Sequence, residues 1–237
     1  MDSVEPVKLF QQSEHLHRVF TAVPPRYDLI NHVMTFGLDI RWRRLAVKVI
    51  LEGNPEKVLD LGCGKKKVEG AIGIDKRPEE GVDVVWDLDR YPYPFEDNEF
   101  DMIICNNSIE HLEEIVRTME EIWRMLKHGG ILKITTPHFS SDNSYTDPTH
   151  KHHLSVRSFD YFTGKADDLD YISTTARFEL VQKRILFPKI KPHGFSFHKI
   201  CGIEYLVNRI PRIYEKFIAF ILPANEIVIE LRAVKGA

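Results

Sequence analysis

A chain of 237 residues with 43% hydrophobic side chains is long enough to bury a full core as one domain with additions. The formal net charge of −3 does not favour a polyanionic partner, and the longest apolar run, Phe217 to Pro223, is far shorter than a membrane span. The start of the chain lacks a signal-peptide pattern and the three cysteines are widely spaced, so the sequence predicts a cytoplasmic protein with reduced thiols.

Residues 1–53 precede the first strand of the predicted core and carry helical patterns. Pro24 and Pro25 interrupt this segment, because proline cannot continue a helix. Asp39 is suited to cap a second helix that runs to about Glu52. We therefore expect an N-terminal helical cap over residues 1–53 and the main core over residues 54–237.

The most informative stretch of the chain is the run Val58-Leu59-Asp60-Leu61-Gly62-Cys63-Gly64. An apolar run that ends in an acid and two glycines predicts a buried strand, followed by a turn where a ligand can approach the backbone. The next strand-like run ends at Asp75, whose carboxylate can accept hydrogen bonds from both hydroxyls of a ribose. This order of strand, glycine loop and acid predicts an adenine nucleoside site at the edge of a parallel α/β sheet.

A dinucleotide-binding fold shares these features, but the spacing argues against it. Its fingerprint is G-x-G-x-x-G opening a helix, with the acid about 20 residues further on. Here Lys67 stands at the third glycine position, and Asp75 follows the loop much sooner. Only residues 65–70 are free to connect the two strands, which is too few for a normal helix.

The glycine run followed by Gly73-Ile74-Asp75 resembles the S-adenosylmethionine site of class I methyltransferases. The resemblance extends, in the order of that family, through Tyr93 to Asp101, Glu110-His111-Leu112 and Leu126 to Gly130. It implies a Rossmann-like α/β fold whose seven-stranded sheet is mostly parallel, with helices on both faces and an antiparallel last strand. It also implies S-adenosyl-L-methionine as the cofactor.

We expect the cofactor to contact the glycine loop, the tips of the following strands and the N-terminal cap. The expected contacts are Asp60, Gly62, Cys63, Gly64, Lys67, Asp75, Asp87, Leu88, Asn106 and Tyr27. Asp87 can accept from the exocyclic amine of adenine while Leu88 packs on the ring, and Asp89 is the rival of Asp87. Lys65 or Lys67 can place a positive charge near the methionine carboxylate, although three solvated lysines on a loop are an equal alternative.

Two further resemblances concern the acceptor. Residues 19–31 and 34–37 resemble the front of the ubiquinone/menaquinone-biosynthesis C-methyltransferases, which implies a cap with Tyr27 near the methionine end of the cofactor. A packing helix with Tyr27 in its core is the alternative. Those enzymes carry a helix where residues 65–70 stand here. This short loop, residues 84–89 and residues 137–153 together resemble a poorly characterised, type-11-like methyltransferase group, which implies that residues 147–150 are part of the acceptor pocket.

Periodicity predicts the remaining elements. They are strands at Val82–Asp89, Phe100–Cys105, Ile131–Pro137, Phe178–Leu186 and Glu226–Val234, a helix opened by Glu110 and His111 and ended by Gly129, and a helix from about Ser155 to Phe162. A helical insert at about residues 188–224 precedes the last strand. This basic, aromatic insert suits a lid, a homodimer surface, a membrane-surface contact or a helical pair that packs on the sheet.

Histidines supply the candidates for a catalytic base, which is required only if the acceptor holds a proton. The candidates are His111, His138 and His150. Asp147, His150, His152 and His153 are the alternative, as ligands of a metal ion. The region has no cysteine and no H-x-x-x-H pair, so no metal is expected.

The sequence thus predicts a methyltransferase that uses S-adenosylmethionine and acts on a small molecule, either quinone-like or otherwise apolar or anionic. One alternative is a protein that binds the cofactor without transferring its methyl group. Another is a nucleic-acid or protein methyltransferase, although the chain lacks a basic arm and the Asn/Asp-Pro-Pro-Tyr/Phe signature. We expect the cap, residues 138–153 and the insert to converge over the methyl group.

Overall fold

Seven strands form a single sheet in the computed structural model, which describes residues 55–164, 174–188 and 197–236. The strands are β1 (Val58–Leu61), β2 (Ile72–Asp75), β3 (Val84–Val85), β4 (Phe100–Asn106), β5 (Leu126–Pro137), β6 (Phe178–Leu186) and β7 (Glu226–Ala233). Their spatial order is β3-β2-β1-β4-β5-β7-β6, with β1 to β5 parallel and β7 antiparallel to both of its neighbours. The predicted Rossmann-like sheet is therefore confirmed, and the cap at residues 1–53 lies outside the described residues.

Five short to medium helices accompany the sheet in the described part of the chain. They are α1 (Ile115–Met125), α2 (Asn143–Thr146), α3 (Phe197–Ile200), α4 (Ile203–Arg209) and α5 (Pro211–Phe217). Two 3₁₀ helices add to them, at Ile109–His111 and Ser158–Thr163. Among the residues that the structure describes, no helix is long and apolar enough to cross a bilayer.

The connection between β1 and β2 contains no helix in residues 62–71, all of which are described. This confirms the prediction from the short lysine loop. Asp83 closes the connection, because it accepts hydrogen bonds from the backbone amide of Gly73 at 2.7 Å and from Nζ of Lys67 at 2.8 Å. A Cβ at Gly73 would lie 2.8 Å from Sγ of Cys63, so the strand and the loop can approach this closely only at a glycine.

The helix expected to open at Glu110 begins instead at Ile115, and this prediction was wrong. The backbone between them is held in place by distant side chains. Asp89 accepts from the amide of Glu113 at 2.7 Å, and Nε2 of His152 lies 2.9 Å from the carbonyl oxygen of Leu112. These contacts fix Leu112 in an extended conformation and end the 3₁₀ turn.

Two other helix predictions also differ from the structure. The helix expected to end at Gly129 ends at Met125, because Leu126 already pairs with Phe100 in the sheet. The helix expected from about Ser155 to Phe162 is a 3₁₀ helix that starts at Ser158. Only two residues of the expected third strand, Val84 and Val85, are in strand conformation.

The insert between β6 and β7 is confirmed as helical in its described part, and it is attached to β6. Asn208 accepts from the amide of Ile185 at 2.8 Å and donates to its carbonyl oxygen at 2.9 Å. Tyr214 is completely buried, and its hydroxyl donates to the carbonyl oxygen of Leu222 at 2.8 Å. Most of the apolar residues that stand at helical spacing in the insert are exposed, with Ile221 at 84%.

Candidate functional site

A cleft of about 830 Å³ opens at the carboxyl ends of β1, β2 and β4. Its lining comes from the glycine loop and from the segments that follow these strands, at residues 75–77, 87–89, 107–108 and 147–149. Ligands of open α/β sheets bind at this edge. The volume lies within the range of about 300–1,000 Å³ that is typical of small-molecule sites.

The glycine loop forms the floor of the cleft through two residues with left-handed backbone conformations. Gly62 has φ +75°, and a Cβ there would lie 2.4 Å from Cβ of Ser108. Ser108 is buried, and its hydroxyl donates to the carbonyl oxygen of Leu61 at 2.7 Å. Gly64 has φ +50°, and a Cβ there would meet no atom of the described residues within 4 Å. The loop is therefore packed on one side and open toward the cleft on the other.

Asp75 stands at the tip of β2 and lines the cleft. Its two carboxylate oxygens accept from the amide of Gly64 and from the amide of Arg77, both at 3.0 Å. Each oxygen keeps a second lone pair, so the carboxylate can still accept from a ligand's hydroxyl groups. The geometry fits the ribose-binding role that the sequence predicts for Asp75.

Asp87, Leu88 and Asp89 form one wall of the cleft. Leu88 is buried, and its carbonyl oxygen accepts from the hydroxyl of Tyr93 at 2.8 Å. Asp89 is tied to Lys151 by an ion pair of 3.5 Å and to the amide of Glu113, whereas Asp87 accepts only from the amide of Asp89 among the described side-chain hydrogen bonds. Asp87 is therefore the less engaged of the two rival carboxylates.

Four of the expected cofactor residues do not line the cleft: Asp60, Cys63, Lys67 and Asn106. Asp60 is buried and accepts from the amide of Val68 at 2.8 Å, and burial raises its pKa. Cys63 is buried too, and burial raises the pKa of its thiol to about 11. Lys67 pairs with Asp83, which holds its charge on the loop. Asp60 and Cys63 are therefore buried residues that support the glycine loop on the side away from the cleft.

At the end of β4, the residues that line the cleft are Asn107 and Ser108, and not the expected Asn106. Asn107 has φ +48° and lines the cleft together with Ser108. The sequence pointed to this polar turn as a whole, but the residue that faces the cleft depends on the exact end of β4. Lys76 and Arg77 also line the cleft and were missed, because a lysine or arginine after a strand carries no distinctive motif.

Two of the three candidate histidines lie together. The rings of His111 and His150 have centroids 4.6 Å apart at an interplanar angle of 64°, and His111 lines the cleft. Glu110, whose side chain the sequence analysis did not single out, joins them with Oε1 at 3.9 Å from Nε2 of His150. Glu110 is 1% exposed, and this burial raises the pKa of its carboxyl group.

The segment 147–153 is fastened to the turn that carries Glu110. The carbonyl oxygen of Glu110 accepts from the amides of Lys151, at 2.9 Å, and His152, at 3.2 Å. His152 and His153, which the sequence suggested as metal ligands, are used elsewhere: Nε2 of His152 contacts the carbonyl oxygen of Leu112, and Nδ1 of His153 contacts the hydroxyl of Ser144. Of the four side chains that the sequence suggested as metal ligands, only that of His150 joins Glu110 and His111 in a possible metal-binding group among the described residues.

His138, the third candidate base, is not part of the cleft lining. Its side chain is completely buried, with Nδ1 2.7 Å from the hydroxyl of Ser140 and Nε2 3.3 Å from Oε1 of Glu215. Glu215 also accepts from the amide of Val156 at 2.7 Å. Through these contacts His138 connects the end of β5 to the insert.

Comparisons with known proteins find methyltransferases. A family model described as a methyltransferase domain matches residues 69–134, and one described as the ubiE/COQ5 methyltransferase family matches residues 8–91. A demethylmenaquinone methyltransferase from Thermotoga maritima is 33% identical over 141 residues, which cover 51% of this chain and 61% of the relative. A ubiquinone/menaquinone biosynthesis C-methyltransferase from Geobacter sp. is 32% identical over 157 residues, which cover 54% of this chain and 67% of the relative.

The chain spans 61% to 63% of the length of the first curated relatives that it matches. Among solved structures, it is similar to a SAM-dependent methyltransferase from Archaeoglobus fulgidus, with 19% identity and a TM-score of 0.46. That match covers 87% of this chain and 99% of the other.

Proposed function

This chain belongs to the ubiE/COQ5 methyltransferase family, and from that premise we propose that it transfers the methyl group of S-adenosylmethionine to a small molecule. The observation that carries the proposal is the cleft at the ends of β1 and β2. There Gly64 leaves open space beside the carboxylate of Asp75. A glycine loop next to an acid at the following strand tip is the arrangement that an adenine nucleoside requires.

The residues of the cleft bind and orient the cofactor in this proposal. S-adenosylmethionine, when bound, supplies a methyl group that is already activated. Asp75 accepts from the ribose hydroxyls, while Asp87 and Leu88 hold the adenine. The turn at Asn107 and Ser108 lies toward the methionine end. The role of the chain is then mainly to bring the acceptor into line with the methyl group.

We infer that the acceptor is a quinol-type ring, because the relatives named above are quinone-biosynthesis methyltransferases. Methylation of such a ring forms a carbon–carbon bond as the bond from sulfur to the methyl group breaks, and the ring carbon loses a proton. Removing a hydroxyl proton from the quinol makes that carbon more nucleophilic. Glu110, His111 and His150 stand beside the cleft and supply the groups for this step.

Calorimetry with S-adenosylmethionine tests the first part of the proposal, and methyl transfer from labelled cofactor to a prenylated demethyl-naphthoquinol tests the second. We expect His111→Ala to lose turnover and to keep cofactor affinity, while His128→Ala, which changes an exposed histidine of β5, keeps both. Failure of the wild type to bind the cofactor would refute methyl transfer itself. Cofactor binding without transfer to the quinol would refute the acceptor class.

The insert offers a surface that suits an apolar acceptor stored in a membrane. On α4, α5 and the following turn, five leucine, isoleucine and phenylalanine side chains are at least half exposed: Leu206, Ile213, Phe217, Phe220 and Ile221. We call these five residues the insert surface. Exposed apolar side chains at this density mark a contact with a protein or a lipid bilayer.

The charges around the insert surface favour a bilayer with anionic lipids. Arg209, Arg212 and Lys216 are exposed on the same helices. Both acidic side chains between residues 201 and 222 turn inward, because Glu204 pairs with Arg184 and Glu215 binds His138 and Val156. An exposed surface that combines aromatic, aliphatic and basic side chains is typical of helices that lie in the membrane interface.

We therefore propose that the insert surface binds an anionic bilayer, and cosedimentation of the full chain with vesicles tests this. Vesicles containing phosphatidylglycerol should bind the wild type, and vesicles of phosphatidylcholine alone should bind it less. The double variant Phe220→Ser/Ile221→Ser should lose most of this binding, whereas Val181→Ser, at an exposed position of β6, should keep it. A dimer that dissociates in the double variant, without vesicle binding by the wild type, would assign the surface to a second copy of the chain.

A further inference from the structure

Three side chains able to bind a metal ion meet at the rim of the cleft. One ligand atom each from Glu110, His111 and His150 lies within 4.8 Å of the other two. Oε2 of Glu110 accepts from the hydroxyl of Thr136 at 2.9 Å, but Oε1 is buried and has no hydrogen-bond partner among the described residues. A buried carboxylate oxygen without a donor is costly, so one beside two imidazoles points to a ligand that would satisfy it.

The hydrogen bonds of both histidines leave the same ring nitrogen for a ligand. Nδ1 of His150 lies 3.2 Å from the carbonyl oxygen of Ser144. Nδ1 of His111 lies 3.2 Å from the carbonyl oxygen of Thr149 and 2.9 Å from its hydroxyl, whose own proton is donated to Asp147 at 2.7 Å. A carbonyl oxygen only accepts, so each imidazole donates from Nδ1 and keeps its lone pair on Nε2. Histidine ligands in metal sites are commonly oriented by such a bond from the other ring nitrogen.

We propose that Glu110, His111 and His150 bind a divalent transition-metal ion, for which Zn²⁺ is the best match. Two imidazoles and one carboxylate are a donor set of catalytic zinc sites, in which a further position stays open for water or substrate. Ligand atoms around zinc lie roughly 3.3 Å apart when the bonds are about 2.0–2.1 Å long. The ligand atoms of Glu110, His111 and His150 are somewhat farther apart than this. Rotation of the two partly exposed histidine rings toward the ion would bring them to bonding distance.

The position of the cluster gives the ion a role in methylation, a step that rests on the function proposed above. His111 lines the cleft, so the open position of the ion is accessible to an acceptor there. A hydroxyl bound to Zn²⁺ loses its proton at a lower pH than a free hydroxyl. The ion would thereby hold a quinol as its anion, and the proton would pass to water.

Calorimetric titration of the chelator-treated full chain with ZnCl₂, without cofactor or acceptor, tests the site. The wild type should bind one Zn²⁺, and Glu110→Gln and His150→Ala should each lower the Zn²⁺ affinity by at least roughly tenfold. Substitution of residues that only orient metal ligands already has an effect of this size. Glu110→Gln preserves the shape of the side chain, and circular dichroism should confirm that it folds. His128→Ala removes an exposed histidine outside the cluster and should leave the affinity unchanged.

A second readout identifies the ligands by spectroscopy. Co²⁺ bound to the wild type should give visible absorption bands that shift or disappear in His150→Ala and persist in His128→Ala. Wild-type Zn²⁺ affinity in both Glu110→Gln and His150→Ala would overturn the site, as would absence of binding in the wild type. Because none of these measurements involves methyl transfer, a failure here leaves the cofactor-binding result intact, and loss of cofactor binding leaves the metal result intact.

Discussion

The two sides of the cleft are built in different ways. The cofactor side, residues 58–112, fixes its carboxylates by bonds to nearby backbone amides, such as Asp60 to Val68 and Asp75 to Gly64. The segment that we propose to serve the acceptor, residues 136–225, is called the acceptor side here; it is held by side chains far apart in sequence, such as Glu215 and His138. Because its hydrogen bonds are local, the structure of the cofactor side can be predicted from the sequence. The contacts of the acceptor side form only when the sheet has folded.

The largest expected effect is a loss of stability caused by a substitution in the glycine loop of the cofactor side. Gly62→Ala would place a Cβ 2.4 Å from Cβ of the buried Ser108, in a left-handed conformation that disfavours alanine. Overpacking and backbone strain together should lower the free energy of unfolding by about 2–4 kcal/mol. Chemical denaturation measures this loss.

Gly64→Ala is the matched control, because a Cβ there meets no atom within 4 Å in the part of the chain that the structure describes. It should destabilise the fold by the strain alone, about 1–2 kcal/mol. Its methyl group would occupy the cleft, so it should weaken cofactor binding more than it weakens the fold. Equal losses of stability in the two variants would show that the contact with Ser108 is not tight.

Removing the carboxylate of Asp75 should produce the next largest effect. Asp75→Ala deletes the proposed acceptor for the ribose hydroxyls and a partner of the Gly64 amide. Hydrogen bonds to a charged group contribute about 1.5–3 kcal/mol each, so calorimetry should find at least a tenfold loss of S-adenosylmethionine affinity. Asp97→Ala, which removes an exposed partner of Arg124, should bind the cofactor as the wild type does. An unchanged affinity in Asp75→Ala would mean that the ribose is bound elsewhere.

The contrast between the two sides explains what the sequence predicted. The strands β1, β2, β4, β6 and β7 and the short lysine loop follow from local patterns of apolar residues, acids and glycines. The start of α1 was missed because Asp89 and His152 hold the preceding residues from other parts of the chain. Glu110 was missed as a site residue because only the fold brings its side chain to His150.

The sequence left four alternatives open for the contact made by the insert, for a related reason. Helical spacing shows which apolar residues share a face of α4 and α5, but it does not tell whether that face points to the sheet or to the outside. Tyr214 and Val207 provide the buried contacts, while Leu206 and Phe217 remain exposed. An apolar helical face in the sequence predicts that the helix contacts something. Only the three-dimensional structure tells whether that face packs on the sheet or remains exposed for another partner.

A smaller effect is expected where the acceptor side is held together. Glu215→Ala leaves the amide of Val156 and Nε2 of His138 without their shared acceptor, at a cost of about 1–3 kcal/mol in unfolding free energy. Cofactor affinity should not change, because none of these residues lines the cleft. Glu215→Gln keeps one acceptor oxygen and should recover much of the stability. A loss of cofactor affinity in Glu215→Ala would show that the two sides are coupled.

The smallest effect concerns the reactivity of the cysteines, which differs between the glycine loop and the insert. Cys63 is 8% exposed and its thiol pKa is raised to about 11 by burial, whereas Cys201 is exposed. Since the thiolate is the reactive form, only roughly a thousandth of Cys63 is reactive at pH 8. Iodoacetamide followed by peptide mass spectrometry should therefore label Cys201 first. Labelling of Cys63 should rise about tenfold for each pH unit below 11, because that is how the thiolate fraction grows. Fast labelling of Cys63 at pH 8 would show that the loop opens readily, and that the rigidity inferred for the cofactor side is absent.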